Sequence, residues 1–342
     1  MLSVRTVLHT TLFLLRSALR NRAAMILVVA FVGLCTLAVG MRVISTGRPH
    51  AFQRVHALIE KITLERAAYW GGSFLSITPV PRGAKYPTLL FPSEVGFDDL
   101  STISLNGVLL YVLPFVALLI GVGMAPEAGG GQRTLLSAPV RRGALYVAHG
   151  LALLLFIGLL LAAAWGACSL VLHTGMPYVG QSGSQMTRMF LYAALYAGAL
   201  AMLGLALGTL FRRRTPALIA GLLAVILLTQ VMPPLRDWAV NVYHYAHQET
   251  LREALSRGRE PTDPAWMGVK AIQHTPTCAL NVIFYYIYRP TAGVPNPDCR
   301  SCGALLSSAR TIRGEAIALA AAMSIAFLLG GGLFVRREVS AP

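Results

Sequence analysis

Six stretches of the chain run apolar and free of acidic or basic charge from end to end: Ala23–Met41, Leu100–Pro126, Leu145–Leu172, Met189–Phe211, Thr215–Leu235 and Ala316–Val335. Each is near or above the roughly 20 residues that a helix needs to cross a bilayer's hydrocarbon. Lipid offers no water to an open backbone, and a helix satisfies its own amide groups within one segment. The pattern therefore predicts an all-α polytopic membrane protein with six transmembrane helices. The third stretch is the longest, and its surplus length is expected to tilt or protrude.

Ahead of the first stretch the rhythm changes. Val4, Val7, Leu8, Leu12, Leu15, Ala18 and Leu19 recur at helical spacing, while Arg5, His9, Arg16 and Arg20 fall on the other face. Residues 1–22 are thus expected to form an amphipathic helix in the plane of the membrane interface, with Phe13 and Leu14 breaking the pattern. No small-residue cleavage site closes the first stretch before Arg42, so it is expected to remain as a helix and not be removed as a signal peptide.

Composition narrows the class further. The chain of 342 residues is 55% hydrophobic and 13% charged, against roughly 45–50% and 25% in soluble domains. Its mean hydropathy is +0.61. These values exclude a soluble globular enzyme and a disordered chain. A net charge of +15 raises the question of nucleic acid, so the placement of the charges decides. Of 29 basic residues only Lys61, Lys85 and Lys270 are lysines, and the arginines cluster at the ends of apolar stretches. That arrangement orients membrane proteins, and no nucleic-acid partner is expected.

On one side of the predicted bundle lie Arg5, Arg16, Arg20, Arg22, Arg133, Arg141, Arg142, Arg212, Arg213, Arg214, Arg336 and Arg337, with Glu127 and Glu338 as the only acids. The segments on the other side, about 45–100 and 236–313, are long and nearly balanced in charge. Basic residues mark the cytoplasmic side, so both termini are expected there, in a multi-pass protein of the cell membrane. Five predicted helices occupy 23–235, and 314–342 holds the last one with its tail.

The first external segment carries Phe52, Val55, Leu58, Ile59 and Ile62 on one helical face, then an irregular Gly/Pro-rich loop over Gly71–Pro92. The second opens with a predicted helix around Val240–Ser256, is rich in proline, and includes the apolar run Val282–Tyr288. That run is too short to cross. It reads as the core of a small external lobe, or else as a re-entrant or interfacial segment.

Cys35 and Cys168 fall inside apolar stretches, whereas Cys278, Cys299 and Cys302 fall in the second external segment. In an oxidising compartment neighbouring thiols pair, so a structural disulfide from Cys278 to Cys299 or Cys302 is expected. Closing a loop of about twenty residues, it would contribute roughly 3 kcal/mol. The competing reading adds His244, His247 and His274 to make a zinc or copper site, which a single CxxC supports only weakly.

Catalytic signatures are missing from the sequence. Lys61, Lys85 and Lys270 follow Glu60, Ala84 and Val269, so no Gly-Lys-Ser/Thr loop can cradle a phosphate, and there is no HExxH or GxSxG. Intramembrane charges are almost absent, with Glu315 at the edge of the last stretch and His149 near the edge of the third, which speaks against an ion-driven transporter.

The most informative cytoplasmic segment is 125–142, between the second and third stretches. Twenty residues is long for a helix–helix connection. Leu135 and Leu136, flanked by Arg133, Arg141 and Arg142, form an apolar spot in a basic surround that suits docking into a groove on a soluble partner, and Pro139 ends the short helix that carries them. The segment resembles the intracellular segment of type-two ABC transporter permeases, in which an acidic residue and a glycine precede a Leu-Leu-Ser-x-Pro-Val-x-Arg helix and turn. Glu127, Gly130 or Gly131, Leu135, Leu136, Ser137, Pro139, Val140 and Arg141 take those places. The chain departs from the family pattern in having Gly-Gly-Gly-Gln-Arg-Thr where a charged pair and a Gly-Thr step are usual. The layout of six helices, an amphipathic N-terminal helix and a large loop before the last helix is also similar.

This resemblance implies the permease subunit of an ATP-driven exporter, with no ATPase site of its own. Its partners would be a cytoplasmic ABC ATPase that binds ATP and Mg, a second permease copy or paralogue, and the lipid bilayer. A permease passing force to an extracytoplasmic protein for maturation or signalling is the alternative within the family. Outside it, the alternative is a membrane-bound redox or metal-handling protein using the Cys/His lobe.

Overall fold

The computed structural model describes residues 4–46, 105–126, 142–175, 180–211, 214–247, 264–288 and 312–336, and among these residues the secondary structure is helical throughout. Helix α1 (Val4–Arg20) meets α2 (Arg22–Thr46) at Asn21. The Asn21 side chain accepts the Ala23 N–H at 3.0 Å, a helix cap that starts α2 in a new direction.

The second apolar stretch begins with the helical turn Leu105–Gly107, widens into a π-helical turn at Val108–Val112, and continues as α3 (Leu113–Gly123). Pro114 accounts for the widening. It has no N–H to offer the carbonyl four residues back, and its ring presses on that carbonyl, which belongs to Leu110. Helices α4 (Arg142–Gly175) and α5 (Gly180–Leu210) follow, then α6 (Arg214–Ile226), a second π-helical turn at Leu227–Val231, and α7 (Met232–Ala246). Here too prolines, Pro233 and Pro234, come directly after the widened turn. A hairpin of α8 (Pro264–Gln273) and α9 (Pro276–Tyr288) precedes α10 (Ile312–Arg336).

Among the described residues each of the six apolar stretches is largely helical, but unequally. Among the described residues four helical segments are long and apolar enough to cross a membrane: Arg22–Gly40, Arg142–Thr174, Met186–Leu210 and Ile312–Arg336. The second and fifth stretches appear as the shorter apolar helices Val108–Gly123 and Thr215–Val231. The fifth continues as helix into α7, where Arg236 and Asp237 end its apolar character. Leu151, Leu155 and Leu159 of α4, and Ile317, Ile325, Leu328 and Leu329 of α10, point outward, as they would toward lipid.

Small residues set the closest contacts. A side chain at Gly121 would run into the Ala201 carbonyl, and one at Gly204 into the Leu118 carbonyl. One at Gly208 would meet the Ala125 methyl. Helices α3 and α5 therefore pack backbone to backbone, as small-xxx-small surfaces allow. Gly198 turns the other way, toward α10, where an added Cβ would lie 3.0 Å from Met323 Sδ.

The run Val282–Tyr288 belongs to α9. Ala279, Leu280, Ile283 and Phe284 of that helix are buried in the main hydrophobic cluster with residues of α5 and α10. Within segment 236–313, α9 packs into the bundle, while α7 and α8 pack on each other through Tyr243 and Trp266. The first external segment, including the predicted Phe52–Ile62 face, lies outside the described residues.

Candidate functional site

Segment 125–142 is held at both ends by packed helices. Met124, Ala125 and Pro126, which end α3, are buried, and Ala125 sits against Gly208 of α5. At the other end Arg142 begins α4, and one turn later Tyr146 is fully enclosed. Its ring packs on Phe327 and Phe334 of α10 at centroid distances of 5.1 and 5.7 Å. Its hydroxyl is buried against Gly330 and has no hydrogen-bond partner among the described residues.

A second brace comes from α1. Leu14 is buried, with Val7 and Ala18 packed beside it on the same helical face. Thr11 Oγ1 donates to the Val7 carbonyl at 2.8 Å and lies 3.5 Å from the Ala148 carbonyl of α4. His149, one residue further on α4, is buried, with Nδ1 2.8 Å from the Leu145 carbonyl. The helices that flank segment 125–142 are thus packed on their neighbours, α3 on α5 and α4 on α1 and α10.

Of the residues the sequence assigns to this segment, Arg142 is described, at the first position of α4 and partly exposed. Glu127, Gly130, Gly131, Leu135, Leu136, Ser137, Pro139 and Arg141 lie outside the described residues. Sequence reasoning missed the enclosure of Tyr146; Gly330 and Gly331, which make room for the aromatic ring, were the available signal.

The Cys/His set is dispersed where it is described. His247 stacks on Tyr243 (centroids 4.6 Å, interplanar angle 13°), and Tyr243 also packs on Trp266 of α8. His274 Nδ1 lies 3.5 Å from Glu315 Oε2, joining the α8–α9 turn to the start of α10. Cys278 is buried on α9 with a free thiol, while Cys299 and Cys302 lie outside the described residues. Nothing is described of the His244 side chain. Among the described residues no group of three or more His, Cys, Asp or Glu could hold a metal ion.

Polar contacts at the heart of the bundle centre on Tyr196 of α5, which is fully buried. Its hydroxyl lies 3.4 Å from the Leu110 carbonyl, the one that Pro114 leaves without a helical donor, and 3.0 Å from Thr277 Oγ1 at the start of α9. With Tyr196 donating to Leu110, Thr277 donates to Tyr196.

The described residues form a bundle of apolar helices, several of them long enough to cross a membrane, which defines a multi-pass membrane protein. A family model described as ABC-2 family transporter protein matches residues 15–283. The chain belongs to this family, and is a membrane permease of an ABC transporter. Membership implies a partner ATPase. No curated protein matches the chain.

Proposed function

We propose that the chain is the permease subunit of an ATP-driven exporter, working as a dimer, in which segment 125–142 receives the stroke of a cytoplasmic ATPase. The observation that carries this reading is the bracing of that segment between α3, locked on α5, and α4, locked on α10 and α1. A docking element attached to loose helices would dissipate the ATPase movement; one attached to close-packed helices passes it on, because packed interfaces rearrange as units. Leu135 and Leu136 are the apolar anchors in this reading, with Arg133, Arg141 and Arg142 as the basic rim. Glu127, Gly130, Gly131, Ser137 and Pro139 shape the turn. Six crossings with both termini cytoplasmic complete the topology, as the arginine asymmetry requires. ATP and Mg bind to the partner subunit.

Co-expression with the candidate ATPase and purification through a tag on this chain tests the proposal. A stable complex, whose ATPase remains accessible from the cytoplasmic side, is expected. Recovery of the permease alone under mild conditions, or labelling of a Gly130→Cys variant by an impermeant reagent in intact cells, would overturn it.

A further inference from the structure

Helix α1 has two apolar sides, and the fold uses one. The side bearing Val7, Thr11, Leu14 and Ala18 packs on the protein, chiefly on α4. Next to it on the helix surface Leu8, Leu12 and Leu19 stand 57%, 51% and 42% exposed. Continuing around the helix, Arg5, Arg16 and Arg20 form the adjoining row, and all three are exposed. The order around the helix is therefore protein contact, exposed leucine strip, arginine row.

We infer that this strip and row form a binding surface for anionic phospholipid headgroups of the cytoplasmic leaflet, the leucines entering the acyl boundary and the arginines meeting the phosphates. The inference rests on the orientation given above for α1. Three features select lipid over a protein groove. Acyl chains are what an exposed leucine strip beside a membrane-crossing helix meets, and α2 starts two residues after α1 ends. Helix α1 carries no acidic residue of its own, and among the described residues no ion pair neutralises the arginine row. Guanidinium forks pair with phosphate oxygens in two-point geometry and carry their charge at any physiological pH. Because α1 is fastened to α4 at Ala148, just beyond the end of segment 125–142, lipid held here would fix the base of the helix on which that segment pulls.

Each basic residue held at an anionic leaflet strengthens binding about fivefold, so the row of three accounts for up to about a hundredfold preference. The test uses the full chain, purified in detergent and exposed to an equimolar mixture of phosphatidylcholine and phosphatidylglycerol, with retained lipid counted by native mass spectrometry. Wild type is expected to retain phosphatidylglycerol selectively, and the Arg5→Gln, Arg16→Gln, Arg20→Gln variant to lose at least about tenfold of that selectivity. The matching triple Lys variant, which keeps charge and topology, is expected to retain most of it. Equal retention of the two lipids by wild type, or unchanged selectivity in the Gln variant, would overturn the inference. So would a Gln variant that keeps its lipid and loses the ATPase, which would assign the row to the protein partner. Lipid retention is read on the permease alone, so failure of the ATPase complex to form leaves this result distinct.

Discussion

Tyr196 Oη lies 3.0 Å from Thr277 Oγ1, joining the middle of α5 to the first turn of α9 inside an otherwise apolar core. The same oxygen reaches the Leu110 carbonyl at 3.4 Å. Pro114 creates the demand, because it leaves Leu110 without its helical donor, and Tyr196 supplies the donor from a neighbouring helix. A proline in one segment is thereby tied to the placement of another.

Replacing Tyr196 by Phe keeps the ring and removes the tie. Polar contacts between membrane helices are worth about 0.6 kcal/mol on average, and leaving a buried acceptor unpaired adds to the cost, so a loss of about 1–2 kcal/mol is expected. Thermal unfolding of the purified permease would show it. Because both substitutions break the same contact, Tyr196→Phe combined with Thr277→Val should cost less than the sum of the two alone.

Glycine substitutions should divide sharply. At Gly121 or Gly204 a methyl group would run into backbone of the facing helix, so Gly121→Ala and Gly204→Ala are expected to destabilise by about 1–3 kcal/mol. Gly158 of α4 has nothing within 4 Å of an added Cβ, and Gly158→Ala should gain about 0.5–1 kcal/mol from helix propensity. Equal effects at the three sites, measured by the same unfolding assay, would contradict the packing described.

Tyr146→Phe should be neutral or stabilising by up to about 1 kcal/mol, because the buried hydroxyl gains nothing where it sits. The ring supplies the contact with Phe327 and Phe334, so Tyr146→Ala is expected to cost about 3–5 kcal/mol. A large penalty for Tyr146→Phe would mean that the hydroxyl has a partner in the functioning protein.

Much of this architecture was legible in the residue pattern. The six apolar stretches marked helices because their length and lack of charge leave few alternatives, whereas the widened turns before Pro114 and Pro233 were not read from the pattern. The orientation of α1 was legible only in part. Its spacing put Val4, Val7, Leu8, Leu12, Leu15, Ala18 and Leu19 on one face, whereas the bundle takes Val7, Thr11, Leu14, Leu15 and Ala18 and leaves Leu8, Leu12 and Leu19 exposed. A single apolar moment cannot separate a helix side that meets protein from one that meets lipid. The run Val282–Tyr288 read as a lobe core because length alone ruled out a crossing; its packing on α5 and α10 depends on residues far away in sequence. Tyr196 gave no local signal, as its partners lie on two other elements.

ATPase turnover of the assembled transporter tests the central claim most directly. Apolar anchors in a docking patch typically cost about 2 kcal/mol or more when lost, enough to weaken binding roughly thirtyfold. A Leu135→Asp, Leu136→Asp variant is therefore expected to fold and melt as wild type while losing the ATPase from the complex, and with it the permease-dependent part of turnover. Turnover and co-purification equal to wild type in that variant would show that segment 125–142 is not where the ATPase engages.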